Sequence, residues 1–156
     1  MPPKFSLQSV LDYHHSRVEV LEIELSLLVS AQQQAQYELD ALRGRLTEEL
    51  DELRQKQAGT LDLGAIAQLR LNIKGTEAAI VRQEQILVDL TRQVEAKRAQ
   101  LIEAKQDEET LSTLKEKEME RYLAEEARRD NRLQDDIYIS RAFRQSAQEQ
   151  TDKAAS

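Results

Sequence analysis

Cysteine and tryptophan are absent from this 156-residue chain, and glycine, proline and aromatic side chains are scarce. Without cysteine the chain has neither a disulfide framework nor a thiolate metal site. Four glycines and two prolines leave few places where the backbone could turn, and aromatic residues make up only 4% of the chain, little volume for a globular core. These absences favour a long helix or coiled coil over a compact domain.

A surplus of basic residues and a long apolar run are missing as well. The net charge is −7 and no segment is basic, which argues against a nucleic-acid partner. The longest charge-poor stretch, residues 25–37, contains four glutamines and is too polar to span a bilayer. The first ten residues lack the basic-then-apolar pattern of a signal peptide. We therefore expect a cytoplasmic protein that is not embedded in a membrane.

A heptad repeat runs without a slip through the first third of the chain. Eleven of its fourteen positions are apolar, and a repeat of 3.5 residues held this long is typical of a coiled-coil seam. The repeat continues through residues 18–25, although their alternation of apolar and polar side chains would suit a strand, so we predict helix there. The seam positions are Leu7, Leu11, His14, Val18, Leu21, Leu25, Leu28, Gln32, Ala35, Leu39, Leu42, Leu46, Glu49 and Leu53.

One turn interrupts the helical pattern. Helix 1 is predicted over about residues 7–57 and the turn over 58–64, with Gly59 in the left-handed C′ position and Thr60 or Asp62 as the next N-cap. Helix 2 is predicted over about 65–144, with a seam interrupted by four polar residues. Two long helices joined by a short turn must lie antiparallel, here folded about residue 59 or 60. The interrupting residues are Thr76, Gln83, Lys97 and Glu108.

The sequence thus predicts an all-α fold, a single antiparallel two-helix coiled-coil hairpin over residues 1–156. Nothing remains to pair with residues after about 113, so helix 2 should extend alone past the N-terminus, where a single exposed helix is marginally stable. The polar residues 145–156 are predicted to be a disordered tail.

No arrangement of residues in this sequence suits catalysis or metal binding. His14 and His15 are consecutive, so on a helix they point about 100° apart and cannot ligate one ion together. A rod offers no cleft in which paired carboxylates could act as acid and base, and Gly59 and Gly64 lack the lysine and the strand of a phosphate-binding loop. We expect no enzyme activity, no cofactor and no metal.

A second apolar stripe lies on the back of helix 1, opposite the seam. Tyr13, Val20, Ile23 and Leu27 share this line. Scattered surface hydrophobic residues are common, but four large ones in one line favour a docking strip for another helix or for a second hairpin. Self-association would cover the stripe as well as a foreign partner would.

The two ends of the chain carry a family resemblance. The sequence FSLQSVLDY at residues 5–13 resembles the start of the FliJ family, the coiled-coil stalk of the flagellar type III export ATPase, and of its injectisome counterparts. The end is similar too, with LKEK at 114–117, Tyr122, an acidic–basic run, and Asp135-Asp136 where the family often has Asp-Glu. Length, turn position and the overhanging helix agree with this resemblance.

The resemblance implies a function. Family members are non-catalytic two-helix stalks whose end with both termini enters the pore of a hexameric export ATPase and promotes its assembly and hydrolysis. They also contact the export-gate membrane protein, which places them peripherally at the inner membrane, and handle export chaperones during substrate delivery for flagellum biogenesis and motility. Carried over to this chain, the ring-facing residues are Phe5, Leu7, Gln8, Leu11, Lys115, Lys117, Arg121 and Tyr122.

The chain departs from the family pattern near the turn. Flagellar members present aromatic residues there for gate docking, whereas the corresponding sites here carry only Leu42 and Ala79 in keeping with that role. The other corresponding sites are polar or charged: Arg45, Glu49, Asn72 and Gln83.

Two function classes compete on this sequence. A stalk that acts on an ATPase ring predicts a monomeric hairpin whose exposed tail contacts the ring. A structural scaffold that dimerises through the stripe at Tyr13–Leu27 into a four-helix bundle predicts a concentration-dependent dimer without effect on any ATPase. Titration of an export ATPase with the protein separates the two.

Overall fold

The protein folds into two long helices. A computed structural model describes residues 4–155, in which α1 spans Gln8–Ala58 and α2 spans Leu63–Ala155. These helices contain 51 and 93 residues, about 77 Å and 140 Å long at 1.5 Å per residue. Within the described residues there is no strand, so the predicted all-α class is confirmed. Residues 18–25 are helical, as the unbroken heptads predict.

Residues 59–62 connect the two helices. The Asp62 side chain accepts a hydrogen bond from the backbone N–H of Ala65 at 3.2 Å, so Asp62 caps α2 as predicted. The prediction of a left-handed Gly59 is wrong, because no residue from 4 to 155 has a positive φ angle. The connection turns through ordinary backbone angles instead, and a Cβ added at Gly59 would lie 3.7 Å from the Gln55 carbonyl oxygen, an ordinary contact.

The chain divides into two compact units, and the first of them comprises residues 14–106, called here the central unit. Within it, α1 and α2 pair along the predicted seam. Every α1 seam position from residue 14 to residue 53 is buried or half-buried, as is every α2 position of the same repeat from 66 to 104. The buried apolar residues are Val18, Leu21, Ala35, Leu39, Ile66, Leu69, Ile73, Ile80, Val94 and Ala104.

Polar side chains also lie in the seam of the central unit, and they bond across it. The Thr76 hydroxyl lies 3.0 Å from the Glu49 carboxylate, and both residues are buried. The Gln83 amide donates to the Ala35 carbonyl oxygen at 3.0 Å, and both are buried. Because a buried polar group without a partner is costly, these bonds require the two helices to pair in this register.

Two more contacts between α1 and α2 show about which residue of the chain the two helices pair. The Gln32 amide donates to the Thr91 hydroxyl at 3.1 Å, and the Lys97 ammonium lies 2.6 Å from the Glu24 carboxylate. The midpoint in sequence of the Gln32–Thr91 pair falls between Leu61 and Asp62. The midpoints of the other cross-helix contacts range from residue 59, for Ala35–Gln83, to between residues 62 and 63, for Glu49–Thr76, so the pairing is centred close to the predicted residue 59 or 60.

The second unit contains residues 4–13 and 107–155, called here the terminal unit. Half-buried residues of α2 continue to residue 122, beyond the predicted limit of about 113, and every described residue after 122 is exposed, so α2 continues alone from there. The helix then runs to Ala155, where the sequence analysis predicts disorder from residue 145. Residues 145–155 contain neither glycine nor proline, and six of the eleven are the helix-forming residues Gln and Ala. Residues 1–3 and 156 of the predicted single hairpin lie outside the described part.

Candidate functional site

The structure places all eight predicted ring-facing residues in the terminal unit. On the α1 side, Phe5, Gln8 and Leu11 are half-buried, and Leu7 is exposed. On the α2 side, Lys115 and Tyr122 are half-buried, whereas Lys117 and Arg121 are exposed. The predicted set therefore combines partly buried apolar residues with two accessible cations.

Local hydrogen bonds order the beginning of α1. The backbone N–H of Gln8 donates to the Phe5 carbonyl oxygen at 3.1 Å, and that of Leu11 donates to the Leu7 carbonyl oxygen at 2.9 Å. The Gln8 side chain donates to Asp12 one turn later, at 2.8 Å. The first helical turn is thereby held in place, which fixes the direction in which the ring-facing residues of α1 point.

Tyr122 is the aromatic residue of the predicted ring-facing set on α2. Its hydroxyl donates a 2.5 Å hydrogen bond to the Glu126 carboxylate, one turn further along the helix. This bond, together with the negative charge of Glu126, raises the pKa of the Tyr122 phenol above its ordinary value. The phenol is therefore neutral at physiological pH and acts as a donor.

Beyond Tyr122 the helix carries large apolar side chains on its exposed surface. Their positions follow no single seam, and charged residues separate them. Large exposed apolar side chains of this kind mark surfaces on which a partner can dock. The exposed apolar residues of this segment are Leu123, Leu133, Ile137, Tyr138, Ile139 and Phe143.

The predicted stripe on the back of α1 is exposed at every position. Tyr13, which belongs to the terminal unit, is 61% exposed. In the central unit, Val20, Ile23 and Leu27 are 51%, 63% and 67% exposed. These values are high for large apolar side chains, so the three residues of the central unit form an apolar ridge, called here the α1 ridge.

Beside the α1 ridge lies a groove that was not predicted from the sequence. It is open, encloses about 510 Å³, and runs between α1 and α2 in the central unit. The charge-poor stretch at residues 25–37 could have indicated its α1 side. Its α2 side could not be predicted, because it depends on the register in which the two helices pair. Its lining residues are Glu24, Leu27, Leu28, Gln93, Ala96, Lys97 and Gln100.

The two candidate gate residues are less accessible than the α1 ridge. Leu42 lies in the seam and Ala79 beside it, and both are half-buried in the central unit. Two of the other corresponding sites, Glu49 and Gln83, are buried and bond across the seam, so their side chains serve the pairing of the helices. Arg45 in turn donates to Glu49 at 2.8 Å. The structure thus shows no aromatic or strongly exposed apolar side chain at the candidate gate sites.

The histidines are placed as the helical geometry predicts. His14 is half-buried in the seam, and the exposed His15 lies 3.1 Å from Glu19 on the same helix. Among residues 4–155, no three His, Asp or Glu side chains come together as a metal site would need. Neither helix, over its described length, has an apolar stretch long enough to cross a bilayer.

Comparisons with known proteins agree with the resemblance at the chain ends. The family model described as "Flagellar FliJ protein" matches residues 3–148, which is most of the chain. No curated protein and no solved structure matches the chain.

Proposed function

Because the chain belongs to the FliJ family, whose members are non-catalytic stalk components of flagellar export, we propose that it is the central stalk of an export ATPase. In this role it inserts into a hexameric ATPase ring and promotes ring assembly and ATP hydrolysis. The family match over residues 3–148 is the observation that carries the proposal. Aid in the delivery of export chaperones and their substrates, in the cytoplasm next to the export gate, belongs to the same role.

Each unit, taken by itself, has features that support a stalk. In the central unit a continuous seam holds two helices together, and a paired rod resists bending better than one helix. In the terminal unit Lys117 and Arg121 are exposed on α2, and Phe5 and Leu11 are half-buried nearby in the same unit. Exposed cations of this kind can meet acidic groups of a ring pore, where charge complementarity gives orientation and a fast association rate.

Charge reversal in the terminal unit tests the proposal. The double variant Lys117→Glu/Arg121→Glu should lower the affinity for the ATPase ring by roughly tenfold or more, because attraction between opposite charges is replaced by repulsion. Binding of the full chain to the assembled ATPase would be measured by surface plasmon resonance at two salt concentrations. The wild-type affinity should fall as the salt concentration rises.

A matched control exists on the same helix. Lys74→Glu/Arg82→Glu makes the same change of charge at two exposed residues of the central unit. This control should keep the wild-type affinity. Equal losses for both double variants would contradict a ring contact in the terminal unit, and the absence of any binding would remove the stalk role.

The exposed α1 ridge favours a second candidate, a scaffold whose only function is to dimerise. That candidate predicts a dimer of the chain and an ATPase whose hydrolysis does not respond to it. The half-buried Leu42 and Ala79 offer an export gate little exposed apolar surface.

A further inference from the structure

The groove beside the α1 ridge offers apolar surface from both helices of the central unit. Leu27 belongs to the ridge, is 67% exposed and forms part of the groove wall on α1. Leu28 and Ala96 add apolar surface, and the small Ala96 side chain leaves the groove open on the α2 side. An apolar groove between two helices is a surface that accepts an apolar side chain of a third helix.

The two charged groups that line the groove neutralise each other, since the Lys97 ammonium lies 2.6 Å from the Glu24 carboxylate. The other polar lining residues, Gln93 and Gln100, are neutral amides. One heptad before Glu24, the exposed Arg17 lies on the same side of α1. The lining itself therefore suits an apolar group, and the net charge that a partner meets comes from the flanks of the groove.

Two exposed carboxylates flank the groove along α2. Asp89 and Glu103 lie seven residues before and after Ala96, so they lie on the same side of α2, each about 10 Å from Ala96 along the helix axis. Asp89 accepts a hydrogen bond from the neutral Gln85 amide at 3.1 Å, which leaves its negative charge in place. Two carboxylates against one arginine make the flanks acidic.

We propose that this groove binds an amphipathic helix of another protein, with one apolar side chain anchored between Leu27 and Ala96 and basic residues on both sides of that anchor. The basic residues lie about seven positions before and after the anchor, where they meet Asp89 and Glu103. A straight partner helix returns to the same face every seven residues, as α2 does, so its anchor and its two cations match three positions of α2.

The partner helix forms a three-helix bundle with α1 and α2 over this stretch, and its apolar stripe covers the α1 ridge. The groove belongs to the central unit, whereas the ring-facing residues belong to the terminal unit. The inference therefore concerns a second binding site and does not depend on the ring contact.

The charges favour this partner over two other occupants. A second copy of the chain, with a net charge of −7, would bring its own Asp89 and Glu103 toward the same carboxylates if both copies used this face. An anionic lipid surface would be repelled by these carboxylates as well. A basic amphipathic helix gains orientation from the opposite charges, and its apolar anchor supplies affinity.

Fluorescence anisotropy of a labelled synthetic peptide with the full chain tests the proposal. The peptide has about 20 residues, is held helical by a side-chain staple, and carries leucines on one face with a lysine seven residues before and after the central leucine. It should bind with a Kd of roughly micromolar magnitude. A second peptide, with glutamate in place of both lysines, should bind at least about tenfold more weakly. Binding of the lysine peptide should weaken as the salt concentration rises.

Charge reversal on α2 tests the flanks of the groove. Asp89→Lys/Glu103→Lys changes two exposed residues, so its helical circular dichroism should match that of the wild-type chain. It should bind the lysine peptide about tenfold more weakly and the glutamate peptide more tightly than the wild-type chain does.

The matched control is Glu77→Lys/Glu95→Lys. Both residues are exposed in the central unit, and their heptad positions place them on the other side of the helix pair from the groove. The control makes the same change in net charge and should keep the wild-type preference for the lysine peptide. Equal responses of the two double variants would overturn the proposal, because only the net charge of the chain would then matter.

A variant that fills the groove separates this site from the ring contact. Ala96→Leu should weaken the lysine peptide by roughly tenfold, whereas Ala78→Leu, at another exposed alanine of the central unit, should leave its affinity unchanged. Ala96→Leu should stimulate the export ATPase as the wild-type chain does, so failure of this inference is distinguishable from failure of the stalk role. The proposal would be overturned by a wild-type chain that does not bind the lysine peptide or binds both peptides equally. A wild-type dimer that Ala96→Leu dissociates would overturn it as well.

Discussion

Single residues in the seam of the central unit hold its two helices together. Leu21 is 2% exposed and clusters with Val18 and Ala104, against which Leu101 packs. These contacts join α1 to α2, and their burial is the largest favourable term available to a structure without a globular core.

Leu21→Ala should therefore lower the free energy of unfolding by about 2–5 kcal/mol, since it removes apolar contacts and leaves a cavity. Leu25→Ala should cost less, because Leu25 is only half-buried. Urea unfolding followed by circular dichroism at one protein concentration measures the difference. The control Leu71→Ala, at a side chain 63% exposed, should stay within about 0.5 kcal/mol of wild type. An unchanged unfolding curve for Leu21→Ala would contradict the seam.

The buried Thr76–Glu49 contact makes a second prediction at the residue scale. Thr76→Val removes the donor from the opposite helix, so the buried Glu49 carboxylate loses a hydrogen bond, at a cost of about 1–3 kcal/mol. Glu49→Leu/Thr76→Val should regain most of that loss, because both polar groups are gone.

Thr47→Val serves as the control for Thr76→Val. Its hydroxyl bonds only to the Arg43 carbonyl oxygen within α1, at 3.1 Å, and the residue is exposed. Both threonine variants and the double variant would be compared by the same urea unfolding. Equal effects of the two threonine variants would mean that the cross-helix bond contributes nothing to pairing.

The sequence indicated which residues occupy the seam but not which hydrogen-bond partners its polar side chains have. In the sequence, three polar residues interrupt the apolar repeat: Gln32, Thr76 and Gln83. In the structure each of them forms a hydrogen bond with the other helix. These hydrogen-bond partners depend on how the two helices are aligned along their length. A heptad pattern alone fits any antiparallel alignment that differs by a whole number of heptads. The groove beside Leu27 was not predicted for the same reason. The register decides which α2 residues line it, and Ala96 is one of them.

At the scale of the elements, the heptad repeat and the turn residues predicted the two helices, but polar composition misjudged the end of the second. Low hydrophobicity in residues 145–155 indicates that they bury little surface, and they are indeed exposed. Helix formation, however, depends on local propensity and on continuation of an existing helix, which costs no new nucleation. The α2 helix therefore continues to Ala155.

Two glycines inside the helices give a prediction at this scale. A Cβ added at Gly44 or Gly75 would meet nothing within 4 Å. Gly44→Ala and Gly75→Ala should each raise the free energy of unfolding by about 1 kcal/mol, because alanine loses less backbone entropy in a helix. Thermal unfolding by circular dichroism measures the gain.

Gly64→Ala is the control for these two variants. Gly64 lies in the first turn of α2, and its added Cβ would lie 3.5 Å from the Asp62 carboxylate oxygen that caps the helix. Its gain should be smaller, because the cap already orders this turn. If Gly44→Ala and Gly75→Ala both lowered the stability, the helices would need flexibility at these points, and the description of α1 and α2 as uniform helices would be wrong.

At the scale of the whole molecule, the proposed function rests on family membership and on the surfaces of the two units. The resemblance at residues 5–13 and 114–136 was enough to predict the family that the match over 3–148 shows. The contacts with an ATPase could not be predicted with the same force, because they depend on the shape and charge of another protein.

The central claim is that the protein is a stalk, and titration of the cognate export ATPase with the full chain tests it most directly. ATP hydrolysis and light scattering from ring assembly would be followed together. With a stalk, both signals should rise and level off at about one chain per six ATPase subunits, because a single stalk fills the centre of a closed ring. Hydrolysis and scattering that stay flat throughout the titration would contradict the stalk.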